Sequence, residues 1–171
     1  IFLICLYAGV FSHSPQSSLA DYYRQIHLYF LLGKKGSELD DSASQMKKYE
    51  ELTWTGNFIG KLFYKNYAAY CRSQEKRTPQ FQKFYKQVRE RYADAEQIPQ
   101  ELRDEFRKGS LPLMKYTNLL TFNSRAIIIY ITCLAGVPYI YPIMELTVYW
   151  AMYAYMHRKH EELCGKLGVK N

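Results

Sequence analysis

The sequence predicts an all-α fold: a polytopic membrane helical bundle fragment, with about three membrane helices and a helical cytoplasmic insertion. Three observations predict it. Charge is segregated, with 16 Lys or Arg and 12 Asp or Glu between Lys34 and Leu113 but only Glu145 charged between Ala126 and Met156. The segment Thr117–His160 contains two stretches that each approach the roughly 20 apolar residues of a membrane helix. The chain also opens on IFLICLYAGV, which is uncharged. The predicted organisation is a membrane helix with a polar face (1–33), a charged helical insertion (34–113), a membrane hairpin (114–160) and a cytoplasmic tail (161–171).

The opening segment lacks the basic n-region and the small-residue cleavage site of a signal peptide, so it reads as part of a membrane helix already under way at Ile1. Ser14-Pro15 suits either a helix start, as N-cap and first helical residue, or a kink, because proline cannot donate to the carbonyl of Phe11. In a continuing helix, His13, Gln16 or Ser17, Asp21 and Arg24 fall at steps of three and four and form one polar stripe. Leu19, Tyr22 or Tyr23, and Ile26 take the opposite face. Such a stripe suits the wet wall of a cavity; the alternative is an ordinary amphipathic surface helix.

Four helices are expected in the insertion. One runs from Asp41 to Trp54 behind an acidic start, with Asp40-Asp41 given a structural role. A second covers Asn57–Lys76, with Phe58, Leu62, Tyr67 or Ala69, and Tyr70 near one face. Thr78-Pro79 starts a third, through FQKFYKQVRERYA, and Ile98-Pro99 opens a fourth, QELRDEFRK, ended by Gly109. They form either a solvated insertion or an interfacial collar whose basic residues face anionic headgroups.

In the hairpin, Thr117–Ala135 and Tyr139–His157 are joined by Gly136-Val137-Pro138, which is turn chemistry. Lys115 precedes the pair, HRKH follows it, and the connection is uncharged, so both ends are expected in the cytoplasm. A buried hairpin in a soluble protein is the alternative. With the turn at Gly136, Arg125 and Glu145 fall at nearly equal depth, offset by about 1.5 to 3 Å of helix rise. A structural ion pair between Arg125 and Glu145 is therefore expected, with Asn123 nearby in sequence, either as a helix clamp or as part of a cavity for a charged substrate.

Other chemistries find little support. The net charge of +7 is dispersed among acidic residues rather than gathered into a basic strip, and no nucleic-acid-binding motif is present. Cys5, Cys71, Cys133 and Cys164 show no CxxC pair, which argues against a disulfide framework or a zinc site. His157, His160 and Glu161 do not have the HExxH spacing and read as a basic juxtamembrane end, so no metal ligand is assigned. No Ser-His-Asp, Cys-His or paired-carboxylate set stands out, and no catalytic residue is assigned.

Taken together, HSPQSSLADYYRQIHLYFL, GSELDDS, QEKRTPQFQ, FRKGSLPLMKYTNLLTFNSR, ELTVY and HRKHEELC resemble the C-terminal part of bacterial CDP-alcohol phosphatidyltransferase-like membrane proteins. The signature of that superfamily, D-G-x2-A-R-x8-G-x3-D-x3-D, is absent from these residues. The resemblance implies six membrane helices around a cytoplasm-facing site, of which this chain would supply the fourth to sixth. It implies transfer of a phospho-alcohol group from a CDP-alcohol to a lipid or polyol acceptor, with release of CMP. It further implies Mg2+ or Mn2+ held by carboxylates upstream of this chain, a homodimer, and a bacterial inner membrane location. On that basis the chain alone is expected to be inactive. Helix geometry and the cost of intramembrane charge, rather than any family motif, nominate His13, Gln16, Asp21, Arg24 and Arg125 as substrate contacts, with Glu145 orienting Arg125.

Overall fold

The computed structural model describes residues 2–33, 39–92 and 94–170, so the predicted start of the insertion at 34–38 lies outside the described residues. Among the described residues the regular structure is entirely helical. The opening run comprises α1 (Phe2–Tyr7), a π turn at Ala8–His13 and α2 (Ser14–Leu32). Pro15 sits in the first turn of α2, directly after the π turn. A helix that must pass a residue without an N–H relaxes by a wider turn as readily as by a sharp kink.

In the insertion, α3 (Ser42–Glu51) and α4 (Phe58–Arg77) form a hairpin, followed by α5 (Pro79–Arg91) and α6 (Gln100–Ser110). Local chemistry sets their starts. The Asp41 carboxylate accepts from Ser44 N at 2.8 Å, and Asn57 Oδ1 accepts from Gly60 N at 3.2 Å. The first turn of α5 begins with Pro79 and is capped from a distance: Glu161 accepts from Gln80 N at 2.8 Å and Phe81 N at 3.3 Å. The predicted α3 extended to Trp54, but it ends earlier because Leu52 is already extended and residues 53–57 make the turn.

Gly109 does not end α6, which runs through it to Ser110. A Cβ at Gly109 would collide with the Leu163 side chain, so the missing side chain permits close approach of α6 to the last helix. Gly109→Ala is accordingly expected to lower stability by about 1 to 3 kcal/mol in chemical denaturation. An unchanged midpoint would show that Leu163 repacks freely.

After α6 come α7 (Met114–Leu119), α8 (Phe122–Leu134), α9 (Ile140–Met144), a second π turn at Glu145–Tyr149, and α10 (Trp150–Lys170). Gly136, with φ of 71°, makes the turn between α8 and α9, a left-handed conformation that glycine accepts without strain. Two uninterrupted membrane-length helices were expected here, and the structure differs. The stretch Thr117–Ala135 is broken at Leu120–Thr121, leaving α8 with 13 residues, about 20 Å of rise. Among the described residues no helix is long and apolar enough to cross a membrane.

The opening and closing helical runs lie side by side and parallel. Ser12 meets Glu145 at one level, and Tyr23 Oη lies 2.5 Å from His157 Nδ1 about three turns further along. Beyond Tyr23 the core contains Leu19, Ile26 and Phe30 of α2, Phe81, Phe84 and Phe106 of the insertion, and Met156 and Cys164 of α10. Phe106 stacks on Phe30 at 4.2 Å between centroids. Helices α5 and α6 thus share one hydrophobic cluster with α2 and α10. In the other direction, toward Gly136, large apolar side chains face outward: Leu3 of α1, Tyr130 and Leu134 of α8 and Ile143 of α9 are between 55% and 89% exposed.

Candidate functional site

A buried polar cluster joins the two π turns where the apolar end meets the rest of the fold. Arg125 and Glu145 are 1% and 0% exposed, and Nε of Arg125 donates to Glu145 Oε2 at 2.9 Å. Nη2 donates to Gln16 Oε1 at 2.7 Å and to Glu145 Oε1 at 3.2 Å, while Nη1 reaches the carbonyls of Leu120 and Thr121. The guanidinium also lies over the Tyr149 ring, with Cζ 4.6 Å from the centroid. Ser12 donates to Glu145 and accepts from Gln16 Nε2 at 2.8 Å. Tyr141 donates to Glu145 Oε2 at 3.3 Å. Every guanidinium nitrogen is engaged, which is the condition under which a buried pair is tolerated.

The break between α7 and α8 has a function in this cluster. With Leu120 and Thr121 outside regular helix, their carbonyls are free to accept from Nη1. The second π turn widens the helix at Glu145 itself, as π turns often do where a side chain must be re-aimed.

The predicted substrate contacts divide into two groups. Gln16 and Arg125 belong to the cluster, whereas Asp21 and Arg24 pair with each other at 3.0 Å on an exposed face. The reason lies in the helical step. The polar stripe runs through Ser17, whose hydroxyl donates to the His13 carbonyl, so Gln16 is turned inward with Ser12. His13 lies between the two groups; its Nδ1 is buried and has no hydrogen-bond partner. Asn123 is exposed and takes no part in the cluster. Ser12, Tyr141 and Tyr149 were missed from the sequence. The spacing of Ser12 four before Gln16, and of the tyrosines four either side of Glu145, is the one signal that would have found them.

Among the described residues no three His, Cys, Asp or Glu side chains converge to hold a metal ion. The Mg2+ or Mn2+ that the resemblance implies is expected on carboxylates outside this chain, so these residues do not bear on it. Comparison with protein families, curated proteins and solved structures finds no match to this chain.

Proposed function

We propose that this chain forms the acceptor-side part of a membrane-embedded phosphotransferase acting on a CDP-alcohol. The acceptor hydroxyl would attack the phosphorus bearing the alcohol, a new phosphodiester would form, and the bond to CMP would break. The hydroxyl proton passes to a base, and CMP leaves with the bridging oxygen. The catalytic carboxylates, and any Mg2+ or Mn2+ they hold, belong to residues other than these.

One observation carries this reading: a fully hydrogen-bonded Arg125–Glu145–Gln16–Ser12 cluster is buried behind an end of the molecule whose large apolar side chains point outward. An exposed apolar surface spread over three helices suits lipid better than water. Polar groups at that depth are costly in lipid unless partnered, and they cluster around functional cavities. On this reading α1, α8 and α9 lie in the bilayer, and the insertion and C-terminus in the cytoplasm of a bacterium. Arg125 acts as a positioning residue that holds Gln16. His13, whose Nδ1 is buried without a partner, is the side chain best placed to meet an acceptor hydroxyl. Arg24 and Asp21 lie beyond it on the water-facing side, where Arg24 suits a phosphate oxygen.

The test is CMP release by the complete protein, in membranes, from a panel of CDP-alcohols with lipid and polyol acceptors and added Mg2+ or Mn2+. His13→Ala is expected to raise the KM for the acceptor about tenfold with helicity unchanged. No CMP release from any donor would sink the enzymatic reading. A non-enzymatic membrane scaffold is the second reading, favoured by the engagement of every Arg125 nitrogen inside the protein. It predicts that release stays at background.

A further inference from the structure

We propose that the cleft between the start of α2 and the C-terminal half of α4 binds a phosphate group, carried by a lipid headgroup or by a small soluble phosphate. The cleft is about 280 Å³ and is lined by Ser14, Pro15, Ser18, Tyr70, Ser73 and Arg77. Among the described residues its lining contains one cation and four hydroxyls, and no carboxylate.

Arg77 is held in place rather than free to swing. Its Nε donates to the Ser73 carbonyl at 3.1 Å and its Nη1 to the Pro15 carbonyl at 2.9 Å, so the guanidinium bridges two helices. Nη2 is left facing hydroxyl oxygens, Ser73 Oγ at 3.3 Å and Ser18 Oγ at 3.5 Å. Ser18 Oγ also lies 3.4 Å from Gln74 Nε2, which donates to it. A serine oxygen that only accepts still has its own proton to donate. Among the described residues no acceptor takes the hydroxyl proton of Ser14, Ser18, Ser73 or Tyr70. Donors thus outnumber acceptors around a concave space large enough for a phosphate and part of what it is attached to.

Charge-assisted bonds from a fixed guanidinium, supplemented by hydroxyls, are the usual means of holding a tetrahedral oxyanion. Arg72 and Lys76, on the same helix, add positive potential around the cleft, and Glu75 turns away to accept from Ser42 N and Oγ at 2.6 Å each. The cleft also follows directly on the π turn that ends the outward-facing apolar surface. If that surface is immersed in a bilayer, Ser14 and Ser18 stand at the depth of the headgroup phosphates. Only this lipid source rests on the membrane reading; the anion chemistry does not.

Two measurements on the chain in uncharged detergent test the site and separate the sources. Inorganic phosphate is titrated calorimetrically at fixed ionic strength, and native mass spectrometry counts phosphatidic acid retained from micelles mixed with phosphatidylcholine. A saturable phosphate site, preferential retention of phosphatidic acid, or both, is expected, with affinity about tenfold lower in Arg77→Gln. Phosphate binding alone identifies a soluble ligand, and lipid retention alone identifies a headgroup. Should Arg77→Gln fail to fold by circular dichroism, the Ser18→Ala, Ser73→Ala double variant carries the comparison. Binding of neither probe, or binding undiminished in the folded variant, overturns the proposal. Neither outcome bears on CMP release, so this site and the phosphotransferase reading fail separately.

Discussion

Replacing Glu145 by alanine is expected to destabilise the fold by about 3 to 5 kcal/mol. The loss comes from what the substitution leaves behind. Arg125 is 1% exposed, so without Glu145 its guanidinium is buried with no counter-charge and its Nε has no acceptor, while Tyr141 loses its acceptor and Ser12 keeps only the carbonyl of residue 145. Removing both charges together should be far milder. In the double variant Arg125→Met, Glu145→Leu the desolvation cost disappears along with the attraction, and such replacements are often neutral. Denaturant unfolding of the two single variants and the double variant gives the coupling energy directly. If the double variant is as unstable as the sum of the singles, the pair is not coupled and the cluster has been misassigned.

Acid should destabilise the protein through His160. Its ring is fully buried, stacked on Tyr23 at 3.9 Å and edge-on to Phe81 and Phe106 in the core shared with the insertion, well beyond the outward-facing apolar end. Burial first, and then the neighbouring His157 and His27, pull its pKa down to about 3 from the ordinary 6.5. The folded protein therefore holds the neutral imidazole, while the unfolded chain takes up a proton at about 6.5. The contribution is fully present above about 6.5 and is lost progressively as pH falls toward about 3, a span on the order of 4 to 5 kcal/mol. His160→Phe should flatten the dependence of the urea midpoint on pH between 7 and 4, because it removes the protonatable ring and keeps the aromatic stack. An equally steep profile in that variant would assign the acid sensitivity to other groups.

The helices of the insertion were legible in the sequence because their starts are written in local chemistry: Asp41, Asn57 and Pro79 each act within a turn of where they stand. The approach of Arg125 to Glu145 was also legible, since a glycine turn between two apolar stretches fixes which residues share a depth. Gln16 was harder. Step counting allowed either Gln16 or Ser17 onto the polar stripe, and only packing against α8 decides which faces inward. Gly109 misled for a similar reason, since a glycine that ends a helix and one that admits a neighbouring helix look alike in one dimension. The long-range cap of α5 by Glu161 has no local signal at all. The shared core of α2, α5, α6 and α10 arises from contacts between residues far apart in the chain, such as Phe30 with Phe84 and Phe106 and Tyr23 with His160, beyond any periodicity.

The two π turns bear on how this protein tolerates change. A π turn takes in one more residue than an α turn over about the same rise and rotation, so Ala8–His13 and Glu145–Tyr149 each hold a spliced-in residue while the flanking helix keeps its phase. Removing one residue inside either turn would let it close into an α turn with its flanks nearly in register, whereas removing one from the α-helical stretches beside it would rotate the flanks by about 100° relative to each other. In the second case the outward-facing side of α1 would swing toward the protein, and Ser12 away from Glu145, with no side-chain chemistry altered. Length is therefore inherited less strictly in these two short segments than in the helices they join.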